Sequence, residues 1–123
     1  MQKRVLVVDD NETIRLIVRT TLEMQTPFVV HEAVDGVDAI QRAEILNPDL
    51  VVMDLSMPRM DGLDASRTLK KSQHPPQIVL FTVNKDGVSD AEADSAGLAA
   101  VIEKSEGLEP LLQKIQHLLQ PTH

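Results

Sequence analysis

Five short apolar runs alternating with helical patterns predict an α/β domain of three layers, a doubly wound, five-stranded parallel sheet with five helices covering its faces. Three observations carry this. The runs, Val5–Val8 and Leu50–Met53 among them, are β-branched and lack strict alternation, as strands covered on both faces do. Between the runs, apolar residues recur at helical spacing. Neither linkers, low-complexity tracts nor repeats interrupt the alternation, so residues 1–123 form one domain, a length that sustains a real core but not two.

In order, Arg4 to Asp10 is a β-branched run that ends in acid. Asp10 or Asn11 caps a first helix, whose stripe is Ile14, Ile17, Val18, Thr21 and Leu22, and Pro27 stops it. Phe28–Ala33 is the second strand and Asp35-Gly36 a turn. Val37, Ile40 and Ala43 mark the second helix, which Asn47-Pro48 ends. Leu50–Asp54 is the third strand. Pro58 and Asp61-Gly62 break the chain before a third helix, Gly62–Lys71, with Leu63, Ser66 and Leu69 or Lys70 inward. After His74-Pro75-Pro76 comes the fourth strand, Gln77–Thr82. Residues 88–96 predict a thin acidic helix stopped by Gly97, and Ala99–Glu103 the fifth strand. Leu108, Leu111, Leu112, Ile115, Leu118 and Leu119 form the strongest amphipathic helix, with Pro110 tolerated in its first turn.

Composition excludes several classes. The formal charge of −7 and only two aromatics, Phe28 and Phe81, argue against nucleic acid as a direct partner. Apolar runs fall short of the roughly 18 residues of a membrane span, and a signal-peptide pattern is absent. The absence of cysteine excludes disulfides and thiolate metal sites and fits a cytoplasmic protein. His31, His74, His117 and His123 are scattered without partners at ligand spacing, and read as surface or strand residues.

In a parallel α/β sheet the carboxyl ends of all strands open on one edge, where ligands bind. Four strands deliver Asp9, Asp10, Asp54, Thr82 and Lys104 there. Three carboxylates in one pocket repel one another, and a hard divalent cation such as Mg²⁺ relieves the repulsion. Asp54 is then a carboxylate nucleophile of the kind that accepts a phosphoryl group, with Lys104 and the cation neutralising the transferring oxygens and Thr82 donating to one of them.

These residues resemble the receiver domain of two-component response regulators. The resemblance rests on Val7-Val8-Asp9-Asp10, on Met53-Asp54-Leu-Ser-Met-Pro-Arg-Met-Asp-Gly62, on Phe81-Thr82 and on Lys104, and covers nearly the whole chain. It implies the flavodoxin-like strand order 2-1-3-4-5. It also implies that Asp54 receives its phosphoryl group from a phosphohistidine of a sensor histidine kinase or phosphotransfer protein. Mg²⁺ would be held by Asp10, Asp54 and the backbone carbonyl of Ser56, with Asp9 acting through water. Thr82 and Lys104 would engage the phosphoryl oxygens, Met57-Pro58 and Gly62 would shape the loop, and Ser56 and Asn84 would influence hydrolysis. On that basis the chain is a phosphoacceptor signalling domain rather than an enzyme. It acts as a monomer or weak dimer, and its downstream protein target docks on the face of the fourth helix, fifth strand and fifth helix. That face is acidic at residues 90–94 and mostly neutral at Gln113, Gln116, His117 and Gln120.

Three positions depart from the family pattern. Val101 stands where a Tyr or Phe usually swings inward, so the Thr82–Val101 switch cannot use an aromatic rotamer. Ser105 replaces the usual Pro after the lysine. A cis bond to a non-proline residue costs about 3–4 kcal/mol, so a trans bond is predicted. Val83 replaces a small residue, and its branched side chain is expected to narrow access to Asp54. The alternative these departures favour is a receiver-like interaction module without regulated phosphorylation. An Asp-nucleophile phosphatase would commonly carry a general-acid Asp where Ser56 stands, and a flavin module would not place Asp9-Asp10 at its phosphate loop.

Overall fold

The computed structural model describes residues 2–120. The strands are β1 (Arg4–Val8), β2 (Val29–Ala33), β3 (Leu50–Met53), β4 (Gln77–Thr82) and β5 (Ala100–Glu103). The helices are α1 (Glu12–Gln25), α2 (Gly36–Leu46), α3 (Gly62–Lys70), α4 (Asp90–Ser95) and α5 (Glu109–Leu118), with 3₁₀ turns at Lys85–Gly87 and Lys104–Glu106. The sheet is parallel throughout, in the order β2-β1-β3-β4-β5. The order and class are those predicted.

Strand alternation divides the core between the two faces. Val5, Val7, Val52, Val79 and Phe81 point toward α1 and α5, where they meet Val18, Leu22, Leu111 and Ile115. Leu6, Val8, Val51, Met53 and Leu80 point toward α2 and α3, where small residues, Ala39, Ala43 and Ala65, let the helices lie close. Each large aliphatic side chain so buried contributes about 1.5–3 kcal/mol.

Helix ends follow local chemistry. Asn11, Asp35, Asp61 and Ser89 each accept from the backbone N–H of the residue three later. Ser89 forms a full capping box with Glu92. The predicted helix over 88–96 shrinks to six residues, because Asp90, Glu92 and Asp94 leave it no buried side chain. The α1 stripe is also narrower than its spacing implies. Val18 and Leu22 are buried and Ile14 packs beside them, but Ile17 is 43% exposed. Phe28 and Ala99 fall just outside their strands, although the Ala99 amide still donates to the Ile78 carbonyl at 2.7 Å. His31 is half-buried in β2, His74 and His117 are exposed, and His123 lies outside the described residues. Among the described residues, no helix is long and apolar enough to cross a membrane.

Candidate functional site

The register of the sheet sets the site. Val8 lies opposite Met53 in the β1–β3 ladder, so the next residues, Asp9 and Asp54, leave the sheet side by side. The Asp54 amide donates to the Val8 carbonyl at 3.0 Å and extends the ladder to the acid itself. Both side chains are buried, Asp9 at 3% and Asp54 at 7% exposure. Asp10, one residue further, is exposed. Carboxylate oxygens of Asp9, Asp10 and Asp54 lie within 4.8 Å of one another.

Lys104 arrives from the end of β5 with its stem beside Phe81 and its Nζ 5.9 Å from the ring centroid. That Nζ donates to Asp9 Oδ2 at 2.7 Å and to Asp54 Oδ1 at 3.3 Å. The other Asp9 oxygen accepts from the Asn11 amide at 2.9 Å, and Asp54 Oδ1 also accepts from the Leu55 amide at 2.9 Å. Burial, reinforced by the negative charge of Asp9, raises the pKa of Asp54 above the ordinary carboxylate value, against the pull of Lys104. Burial lowers the Lys104 pKa, but the Asp9 hydrogen bond and the Asp54 charge outweigh it and the net shift is upward.

Three carboxylates thus face one ammonium, in an oxygen-only donor set with one exposed member. This fits a hard divalent cation that keeps several waters, and Mg²⁺ in particular.

The remaining predicted residues occupy β4, β5 and the loop that leaves β3. Thr82 ends β4, is 1% exposed, and its Oγ1 accepts from the Asn84 amide at 3.2 Å. Ser56 is exposed on the loop leaving β3. Val101 is half-buried and packs against the core beneath α2 and α3. The Lys104–Ser105 bond is trans, as the missing proline predicts; no cis bond occurs among the described residues. Val83 corrects an expectation: its side chain is 74% exposed and turns to solvent, because β4 ends at Thr82 and the chain then bends outward.

Gly62 sits closer to the site than the loop-shaping role the resemblance implies, and the roles of Asp35 and Glu103 went unread in the sequence. Gly62 opens α3 so close to the site that a Cβ there would fall inside the van der Waals shell of the Asp54 carbonyl oxygen. Asp35, expected only in a turn, caps α2 and holds Arg59 of the β3–α3 loop. Glu103 lies opposite Thr82 in the β4–β5 register and accepts from the Lys85 amide at 3.4 Å, with its other oxygen buried and unpartnered among the described residues. Neither Asp35 nor Glu103 has a spacing signal; both roles depend on how loops fold back.

Residues 5–116 match the family model described as the response regulator receiver domain. The response regulator GacA of Pseudomonas aeruginosa is 36% identical over 116 residues, which are 94% of this chain and 54% of that protein. The protein-glutamate methylesterase/protein-glutamine glutaminase 4 of Myxococcus xanthus is 42% identical over 108 residues, 86% of this chain and 31% of that protein. Among solved structures, the response regulator protein TrrA of Thermotoga maritima, in complex with Mg²⁺–BeF, is 29% identical with a TM-score of 0.86, covering 96% of this chain and 100% of that one. The chain spans about half or less of the length of these two curated relatives. With the acidic edge, the parallel order and the family model all extending over nearly the same residues, the chain belongs to the response regulator receiver domain family.

Proposed function

We propose that residues 1–123 act as a phosphoacceptor receiver domain of a two-component system, with Asp54 as the acceptor. The observation that carries this is the Lys104 Nζ held between Asp9 and Asp54 at the edge where Asp10 joins them. In the transfer, an Asp54 carboxylate oxygen attacks phosphorus of a phosphohistidine. The P–N bond breaks, and the imidazole leaves with the electron pair and takes up a proton. Lys104 neutralises charge on the phosphoryl oxygens, and the Thr82 hydroxyl leaves the Asn84 amide to donate to one of them. Asp10, Asp54 and the Ser56 carbonyl would hold Mg²⁺, with Asp9 reaching it through water. When bound, Mg²⁺ supplies charge neutralisation at the acceptor and at the transferring group. The Mg²⁺–BeF complex of TrrA supports this choice of cation.

Ser56 and Asn84, at the pocket mouth, set the access of hydrolytic water. The Thr82 movement reaches Val101 and the face of α4, β5 and α5, which recruits a downstream protein. Asp90, Glu92 and Asp94 are exposed on α4, and Gln113, Gln116, His117 and Gln120 on α5 and just after it, a surface for a partner of neutral or basic character. The partners are a histidine kinase or phosphotransfer protein and that target, met in the cytoplasm by a monomer or weak dimer.

Intact-mass measurement after incubation with Mg²⁺ and acetyl phosphate or phosphoramidate tests the proposal. A single phosphoryl adduct is expected in the wild type, absent without Mg²⁺ and absent in Asp54→Ala. Lack of an adduct, with no binding of beryllofluoride, would leave a receiver-like module that signals without phosphorylation.

A further inference from the structure

Asp35 and Arg59 stand outside the acidic site yet hold the loop that borders it. Arg59 donates to Asp35 twice, Nε to Oδ2 at 2.7 Å and Nη2 to Oδ1 at 2.9 Å, a bidentate pair across 24 residues of sequence. Asp35 is 5% exposed, and its Oδ1 also accepts from the Asp38 amide at 2.8 Å as the cap of α2. The guanidinium holds its carboxyl below the usual range against the opposing effect of burial.

Arg59 itself has φ 68°, in the left-handed region that side chains with a Cβ rarely adopt. The neighbouring contact is equally close. A Cβ on Gly36 would come within 2.7 Å of the Met60 carbonyl oxygen, so the first turn of α2 accepts the loop backbone only as glycine. The loop's far end is closed by the Gly62 amide donating to the Leu55 carbonyl at 2.8 Å. Ser56 therefore lies on a segment fixed on one side by the Gly62 closure and on the other by Arg59. Strained backbone kept by a directed ion pair beside a site is the pattern of a held geometry.

We infer that Asp35 and Arg59 are positioning residues, a clasp that sets the Ser56 carbonyl for Mg²⁺. The inference rests on the phosphoacceptor proposal. A pair that merely fastened α2 to the loop would change stability alone. A positioning pair also changes cation affinity, since supporting groups around a metal site typically alter it by about 10–100-fold.

Calorimetric Mg²⁺ titration of the whole chain is the test, with Arg59→Gln, Asp35→Asn (which keeps a capping oxygen), the double variant, and Leu112→Ala as a remote destabilised control. Amide exchange over residues 55–61 of the metal-free proteins is measured in parallel. The expected result is about tenfold weaker Mg²⁺ binding in each single variant, no further loss in the double, and faster loop exchange, with the control at wild-type affinity. Arg59→Gly, which relieves the backbone strain but lacks the guanidinium, is expected to bind as weakly as Arg59→Gln. Affinities within twofold of wild type, or unchanged loop exchange, would overturn the clasp while leaving the phosphoacceptor proposal standing. A wild type that binds no Mg²⁺ and forms no phosphoryl adduct would overturn both.

Discussion

At the scale of residues, the site is a conflict of charge held in place by neighbours. Asp54 has its pKa raised chiefly by burial, so in the metal-free protein its contribution to stability is full below the unfolded value of about 3.8 and is lost as pH rises through the folded value. Asp54→Asn is therefore expected to stabilise the metal-free protein at pH 7 by on the order of 1 kcal/mol, with the gain closing as the pH approaches 4, as read by urea unfolding. Asp35 behaves in the opposite sense. Its lowered pKa gives stability that is present above the unfolded value and lost as pH falls through the folded one, so Asp35→Asn should be less stable than wild type at pH 7 and approach it in acid. Lys104→Met leaves Asp9 and Asp54 without their ammonium partner. A loss of about 3 kcal/mol is expected, with Mg²⁺ restoring part of it; equal unfolding midpoints with and without Mg²⁺ would contradict this.

Among the elements, α3 and α4 are opposites. Gly62 presses the start of α3 onto the Asp54 backbone, and Leu63, Ala65 and Leu69 bury the helix behind it. Gly62→Ala should cost about 3 kcal/mol in thermal or urea unfolding, since the obstructing atom is backbone and cannot step aside. α4 has six residues, no buried side chain, and a capping box as its main local support. Its amides are expected to exchange far faster than those of β1 and β3; comparable protection would show that this face is not loosely held. The contrast was half legible in the sequence. The acidic, Ala-rich pattern at 88–96 marked a thin helix, but its final length depends on Ala96, fully buried just beyond it, and on the turn at Lys85–Gly87. Ile17 shows the same limit, since helical spacing identifies a stripe but not how wide a seam the sheet will cover.

For the whole molecule, ligand binding and fold stability are linked. If Mg²⁺ binds only the folded chain, a concentration a hundred times its dissociation constant should add about 2.7 kcal/mol, visible as a higher melting temperature that Asp10→Asn abolishes. The sheet order and the gathering of Asp9, Asp10, Asp54 and Lys104 were legible because parallel strands must present their carboxyl ends together. The clasp of Asp35 and Arg59 was not, because nothing in local sequence says that a loop will turn through a left-handed residue. One bond has a consequence in time. Lys104 and Asp9 are 95 residues apart, so their pair joins distant parts of the chain. During synthesis the acids of β1 and β3 emerge long before the lysine that tempers them. A nascent chain lacking β5 thus carries Asp9 and Asp54 without the ammonium that faces them, and on the phosphoacceptor proposal it gains the complete charge arrangement only once β5 has been made.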